Sequence, residues 1–153
     1  MSGIAGMQGE ICGDVHVLPL VVYWEDTDGG GIVYFANYLK FCERGRSDLL
    51  RGLGIDQREM LERTGLALVV RDCAIEYLKP ARLDDGIAVH SRVLEVGGAT
   101  VRAEQIVRRG AEELVRSQVR IACVDRGGRP RRLPDAIRDG LSGLMQPKRV
   151  GTA

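Results

Sequence analysis

The sequence predicts an α+β fold in which an antiparallel β-sheet curls around one long α-helix. Two observations predict this class. An apolar stripe with helical spacing follows the first apolar segment, and the second half of the chain alternates between apolar and polar residues. With 153 residues the chain is long enough for one domain with a single core, and no internal repeat or linker divides it.

The first strand is expected in "HVLPLVVYWE", which is rich in Val, Leu and aromatic residues. The helix is expected from Asn37 to Leu53, because apolar residues recur there at spacings of three and four. These residues are Tyr38, Phe41, Cys42, Gly45, Leu49 and Leu53. We expect Asn37 to cap the helix start and Gly54 to end it. A glycine inside the helix, Gly45, predicts that a neighbouring backbone packs closely against it.

The chain after Leu66 is expected to consist of strands. Apolar and polar residues alternate in three segments, "GIAVHSRVLEV", "ATVRAEQIVRR" and "LVRSQVRIACV". Gly97 and Gly98, between the first two segments, mark a hairpin. This pattern is typical of an antiparallel sheet with one buried face and one wetted face. Since one helix covers only part of such a sheet and its edges stay open, we expect the protein to self-associate.

The composition is that of an ordinary soluble domain, with 44% hydrophobic and 28% charged residues and a net charge of +1. It favours neither nucleic-acid binding nor membrane insertion, and the N-terminal sequence does not resemble a signal peptide, so a cytoplasmic protein is expected.

Four scattered cysteines and two histidines form no metal-binding pattern, and no metal or cofactor is expected. We expect a flexible N-terminus over residues 1–15, a domain over 16–140 and a C-terminal tail over 141–153.

The segment "YWEDTDGGGIVYFANYLKF" places Asp26 and Asp28 before three glycines and a helix start. A calcium loop is excluded, because Gly30 and Asn37 would occupy two ligand positions that they cannot fill. A phosphate loop fits poorly, since neither G-x-G-x-x-G nor the Walker pattern is present. A carboxylate facing the free N–H groups of a helix start would suit acyl transfer. The alternative is that both aspartates only shape a turn.

Three separated motifs carry a family resemblance: "VYWEDTDGGGIVYFANYLKFCERGRSDLLRGLGI", "VVRDCAIEYLKPARLDD" and "CVDRGGRPRRLP". In this order they resemble the hotdog-fold acyl-CoA thioesterases, and more narrowly the YbgC (Tol-Pal-associated) and 4-hydroxybenzoyl-CoA thioesterase groups. The resemblance covers about residues 17–137. It implies a sheet wrapped around a central helix, a homodimer with one continuous sheet, frequent homotetramers, and active sites at the dimer interface.

The resemblance also implies roles for individual residues. Asp28 matches the second aspartate of the family motif E-D-T-D-x-G-G and would be the catalytic carboxylate, as nucleophile or as general base. The backbone N–H of Phe35 would polarise the thioester carbonyl, with Tyr34 beside it in the substrate-binding site. No metal is implied. Related YbgC-like sequences often have histidine at the position of Phe35, so an imidazole is replaced here by an apolar ring.

Three further residues are expected to bind substrate: Val70, which with Val69 and Phe35 would line an apolar pocket, and Arg71 and Thr100, whose strand positions lie near the expected cleft. The hairpin that carries basic residues in hydroxybenzoyl-CoA enzymes reads "EVGGATV" here, so coenzyme A phosphates would need other cations. Arginines between residues 108 and 132 are candidates, although a solvated strand face or loop is the better explanation of any single one of them.

These observations favour an acyl-CoA thioesterase that releases a free acid and coenzyme A. The alternative is a non-catalytic module that binds acyl-CoA or acyl carrier protein, or that docks on cell-envelope partners. A hotdog dehydratase is a third candidate, but the histidine and acid expected of one are not visible. The acyl group and the choice between dimer and tetramer stay open.

Overall fold

The computed structural model describes residues 6–145. They form a six-stranded antiparallel sheet with the strand order β1-β2-β4-β5-β6-β3. The strands are β1 (Glu10–Cys12), β2 (Val15–Val21), β3 (Ala67–Tyr77), β4 (Gly86–Val96), β5 (Thr100–Arg109) and β6 (Glu112–Val124). The helices are α1 (Asn37–Gly52), α2 (Gln57–Thr64) and α3 (Asp135–Met145), and a short 3₁₀ turn covers Trp24–Asp26. This architecture confirms the α+β class, and the long helix starts where the sequence predicts.

Helix α1 packs its apolar stripe onto the sheet. Tyr38, Phe41 and Cys42 are buried against residues of β4, β5 and β6, including Val89, Val107 and Val115. Fully burying side chains of this size contributes roughly 1.5–3 kcal/mol each. The predicted stripe is therefore the main contact between the helix and the sheet.

The prediction for Gly45 is right about crowding but wrong about its cause. A Cβ atom at this position would lie 3.0 Å from Val89 Cγ1, 3.2 Å from Gln105 Nε2 and 3.3 Å from Ser91 Oγ. The sheet therefore approaches the helix with side chains, and no backbone atom is among these nearest neighbours.

The prediction that only strands follow Leu66 is wrong, because helix α3 packs Ile137 and Leu141 into the second core cluster, next to Leu133 of the preceding loop. The sequence analysis also missed α2, although its signals are present. The Asp56 side chain caps α2 by accepting a hydrogen bond from the Glu59 N–H, and Gly65 ends the helix in the left-handed conformation with a φ of 74°.

The end of the first strand and the residue that precedes α1 also differ from expectation. The first strand ends at Val21, since the chain turns into the 3₁₀ segment, and the backbone of Ala36 precedes α1 where Asn37 was expected to cap it. Strand β1 lies within the segment 1–15 that was expected to be flexible, and α3 continues past residue 140. Residues 1–5 and 146–153 of the two expected flexible ends lie outside the described residues.

Strand β3 forms one edge of the sheet. It pairs with β6 on one side, and six consecutive residues from Val69 to Ala74 are exposed. Long, exposed edge strands present unpaired backbone groups that favour pairing with another chain. Of the helices in residues 6–145, none is long and apolar enough to span a membrane.

Candidate active site

The three glycines form the tip of a tight loop that starts at Asp28. Thr27 and Val33 pair as an isolated antiparallel bridge, and the Asp28 N–H donates to the Ile32 carbonyl at 3.0 Å. Between these residues Gly29 and Gly31 have φ values of 90° and 89°. This left-handed conformation strains other residues, which explains why glycine occurs at both positions. The loop returns the chain to α1 and holds Asp28 at the surface.

The Asp28 carboxylate is exposed and only partly occupied. Its Oδ1 accepts a hydrogen bond from the Gly30 N–H at 2.7 Å, which orients the side chain over its own loop. Among residues 6–145 no donor binds Oδ2. One carboxylate oxygen is therefore oriented by the loop while the other is open to solvent or a ligand.

Asp26, in contrast, is buried and serves the structure. Its Oδ1 accepts from the Asn37 side-chain amide at 2.9 Å, and its Oδ2 accepts from the Tyr23 N–H at 2.8 Å. Its backbone carbonyl accepts from the Tyr34 N–H at 2.9 Å. The turn-shaping role considered for both aspartates thus fits Asp26, which ties the 3₁₀ turn to the first residue of α1.

Phe35 lies at the entrance of α1, in the last turn before the helix. Its N–H has no acceptor in the part of the chain that the structure describes, and its ring is 60% exposed. The neighbouring Tyr34 ring lies 5.0 Å away, centroid to centroid, and is also exposed. An unpartnered N–H at a helix start is a preorganised donor for a carbonyl oxygen or an oxyanion.

Tyr77, near the end of β3, completes this end of the site, and the sequence analysis did not select it. Its hydroxyl donates to the Phe35 carbonyl at 2.9 Å, and its ring packs edge-on against the rings of Phe35 and Tyr38. Burial raises the pKa of the Tyr77 phenol above its usual value of about 10, at which the hydroxyl already keeps its proton at neutral pH. The only sequence signal was its place in the motif "IEYLKP".

The remaining predicted residues lie at the opposite end of β3. Val70 pairs with Ile121 of β6, and Arg71 is the extra residue of a β-bulge, since Asp72 pairs with the next residue of β6. Thr100 is aligned with Ala122, which also faces Val69. Six residues lie between Val70 and Tyr77, and the seven steps of extended strand that join them span roughly 23 Å. Within one chain, Tyr34 and Phe35 lie side by side at the entrance of α1 and Asp28 lies in the loop that leads there, whereas Val70, Arg71 and Thr100 lie toward the other end of β3 or beside it.

A cavity of about 320 Å³ lies beside Val70, between α1 and β3. Five of its residues are apolar, and four are polar or charged. The cavity is lined by Leu50, Leu68, Val69, Val70, Ile121, Glu43, Arg46, Ser47 and Gln57. Val69 and Val70, expected to line an apolar substrate pocket, line this cavity and Phe35 does not.

Most of the arginines considered for coenzyme A phosphates already have carboxylate partners. Those at 108, 109, 116, 120 and 131 each form a salt bridge, for instance Arg109 with Asp85 at 2.7 Å. Arg71 forms no ion pair with any residue from 6 to 145. The same part of the chain contains no cluster of three His, Cys, Asp or Glu residues that could hold a metal ion.

Comparison with known proteins identifies the family. Residues 22–141 match the model of the thioesterase-like superfamily. The acyl-CoA thioesterase YbgC of Haemophilus influenzae is 48% identical over 109 residues, which are 71% of this chain and 80% of that protein. The acyl-CoA thioester hydrolase YbgC of Escherichia coli O6:H1 is 38% identical over 121 residues, 78% of this chain and 90% of that one.

Solved structures agree with this assignment. A probable thioesterase from Bartonella henselae superimposes with a TM-score of 0.74 at 38% identity and covers 78% of this chain and 99% of that chain. A 1,4-dihydroxy-2-naphthoyl-CoA thioesterase from Synechocystis gives a TM-score of 0.80 at 21% identity, covering 87% and 99%, which supports the fold. The fold is that of the hotdog thioesterases, and the chain belongs to the thioesterase-like superfamily.

Proposed function

We propose that this protein hydrolyses acyl-CoA thioesters to a free carboxylic acid and coenzyme A, with Asp28 as the catalytic carboxylate. The names of the Haemophilus influenzae and Escherichia coli relatives support the substrate class. One observation carries the mechanism. The exposed Asp28 carboxylate lies in the loop that leads directly to the unpartnered Phe35 N–H.

The Phe35 N–H would donate a hydrogen bond to the thioester carbonyl oxygen and stabilise the negative charge that develops there. Asp28 would then act in one of two ways. As a nucleophile it would form a mixed anhydride while the C–S bond breaks, and water would hydrolyse the anhydride. As a general base it would take a proton from the attacking water and pass it to the departing thiolate. Either route consumes one water and needs no metal or cofactor.

We further propose that a complete site requires two subunits. Val70, Arg71 and Thr100 lie too far from Phe35 within one chain to contact the same acyl group. If two β3 edges pair antiparallel around a two-fold axis near Cys73 and Ala74, Val70 of the partner subunit lies opposite Tyr77. The exposure of β3 from Val69 to Ala74 supports this homodimer, and a homotetramer would be a pair of such dimers. A cytoplasmic location remains an expectation.

The test is release of free thiol from a panel of acyl-CoAs by the wild type and by Asp28→Asn. We expect the substitution to lower kcat by at least about a hundredfold, the scale for a positioned acid or base. Asp14→Asn, which alters an exposed aspartate in the β1–β2 turn, serves as the matched control and should retain full activity.

Near-native turnover by a folded Asp28→Asn variant would remove Asp28 from the mechanism. If the wild type retains acyl-CoA or acylated carrier protein without releasing thiol, the protein is a binding module and the enzymatic proposal fails.

A further inference from the structure

Arg46 is a half-buried cation without an anionic partner among residues 6–145. It projects from α1 and lines the 320 Å³ cavity beside β3. Burial lowers the pKa of the Arg46 guanidinium, and the opposing effects of Cys42 and then Glu43 do not cancel this shift. Removing a charge from water without pairing it is costly. The arginines of β5 and β6 discussed above avoid this cost through salt bridges, and Arg46 does not.

The orientation of the Arg46 side chain is fixed by Gln105, which is fully buried. The Gln105 amide nitrogen donates to the Cys42 carbonyl at 2.8 Å and to Ser91 Oγ at 2.9 Å. A carbonyl oxygen only accepts, so this geometry forces Gln105 Oε1 toward Arg46, where it accepts from Nη1 at 2.9 Å. The guanidinium is thus held in place by one N–H group while its other N–H groups have no acceptor among the described residues.

The walls of the cavity indicate what kind of anion could reach Arg46. Leu50, Leu68, Val69, Val70 and Ile121 are apolar, which suits a hydrocarbon chain and disfavours the several charges of coenzyme A phosphates. Glu43 also lines the cavity but forms no salt bridge with Arg46 within 4.0 Å. A single guanidinium held in place beside these apolar residues matches a chain that carries one carboxylate, because arginine binds a carboxylate with two parallel hydrogen bonds.

We propose that this cavity receives the far end of the acyl group and that Arg46 binds a carboxylate there, so that thioesters of dicarboxylic acids are preferred substrates. The proposal rests on the thioesterase activity and the two-subunit site proposed above. In that dimer the cavity of one subunit adjoins the Asp28 and Phe35 end of the other, because Val70 of the partner subunit lies opposite Tyr77. Asp28 of one subunit would cleave a thioester whose distal carboxylate is held by Arg46 of the partner subunit.

The experiment compares kcat/KM for ω-carboxyacyl-CoAs, from succinyl-CoA to suberyl-CoA, with kcat/KM for the unsubstituted acyl-CoA of the same length. The wild type should prefer the carboxylated member by at least about tenfold at one chain length, as expected for a charge-assisted hydrogen-bonded pair. Arg46→Met, which keeps the length of the side chain but removes its charge, should abolish this preference, and Arg46→Lys should restore part of it. Arg44→Met, an exposed position on α1, is the matched control and should keep the preference.

Two results would overturn the proposal. The first is a wild type that hydrolyses unsubstituted acyl-CoAs and shows no preference for a carboxylated member at any length. The second is a preference that survives in folded Arg46→Met.

If Arg46→Met does not fold, the wild type alone tests the proposal. Free glutarate and 3′,5′-ADP are then compared as inhibitors of its acyl-CoA hydrolysis. Inhibition by glutarate that its uncharged diamide, glutaramide, does not reproduce supports the site, whereas inhibition by 3′,5′-ADP alone rejects it. Absence of thiol release from every member would instead refute the thioesterase itself.

Discussion

The buried carboxylate of Asp26 accepts a hydrogen bond from the side-chain amide of Asn37 at 2.9 Å, and this contact joins the glycine loop that carries Asp28 to the first residue of α1. Both side chains are 9% exposed. Asp26 and Asp28 are only two residues apart, yet one is an anchor and the other is open to solvent. Because Asp26 fixes both ends of the loop, the position of Asp28 relative to the helix entrance depends on it.

We therefore expect Asn37→Ala to destabilise the protein and to impair catalysis. It leaves Asp26 Oδ1 buried without a partner, which costs about 1–3 kcal/mol of unfolding free energy. For a chain of this size the melting temperature should fall by roughly 2–4 °C per kcal/mol. Thermal unfolding and kcat should both be measured. Thr27→Val, which removes an exposed hydroxyl hydrogen bond in the same turn, should change the melting temperature little. An Asn37→Ala protein that melts with the wild type would contradict the anchoring role.

Tyr77→Phe tests whether the hydroxyl bound to the Phe35 carbonyl positions the helix entrance. The substitution keeps both ring contacts, so we expect the fold to be retained. Losing one neutral hydrogen bond, worth about 0.5–1.5 kcal/mol, should lower kcat by roughly three- to tenfold and leave KM nearly unchanged. Steady-state kinetics on one acyl-CoA suffices, with Leu78→Ala at the next exposed position as the control. A fall in melting temperature with unaltered kcat would indicate a structural role only.

The local patterns explain how much of this arrangement the sequence could predict. The stripe of α1, the β4–β5 hairpin and the motif at Asp28 are contiguous signals, and the structure contains the helix and the hairpin as expected. Ile137 and Leu141 of α3, with Leu133 just before the helix, recur at spacings of four, but three apolar positions beside an arginine-rich stretch are a weaker signal than the stripe of α1. The contact of Tyr77 with Phe35 joins residues 42 positions apart, and that of Arg46 with Gln105 spans 59. No local period encodes such pairs, since they follow from the strand order.

Gly45→Ala should destabilise the protein even though alanine is the better helix former. The helical preference for alanine over glycine is worth about 1 kcal/mol. Against it, the new Cβ would meet Val89 Cγ1 at 3.0 Å and crowd Gln105 and Ser91, and overpacking of this kind costs about 1–3 kcal/mol. We expect a net loss of up to about 2 kcal/mol by urea unfolding. Gly143→Ala in α3, where a Cβ meets nothing within 4 Å, should be neutral or stabilising. A Gly45→Ala variant more stable than the wild type would mean that the sheet side chains shift to make room for the new Cβ atom.

The buried pair of His16 and Asp48 should make the free energy of unfolding depend on pH in the acidic range. His16 Nε2 lies 2.8 Å from Asp48 Oδ2, and the N–H groups of Gln8 and Gly9 donate to the same carboxylate. Burial acts to raise the pKa of Asp48, but these hydrogen bonds and the His16 ring outweigh it, so the pKa lies below its usual value. A carboxyl group with a lowered folded pKa contributes stability that is present above its unfolded pKa of about 3.9 and is lost as pH falls through the folded value.

The measurement is the free energy of unfolding in urea between about pH 7 and pH 3. Other carboxylates with a lowered pKa, such as Asp85 and Asp125, also make the free energy of unfolding fall at acidic pH. The informative quantity is therefore the difference in unfolding free energy between the wild type and Asp48→Asn. We expect Asp48→Asn to be less stable at neutral pH by about 1–3 kcal/mol and this difference to shrink as the pH falls. Asp14→Asn, on the exposed turn, should follow the wild type throughout. A difference that stays constant with pH would show that Asp48 stabilises the fold by packing and not by its charge.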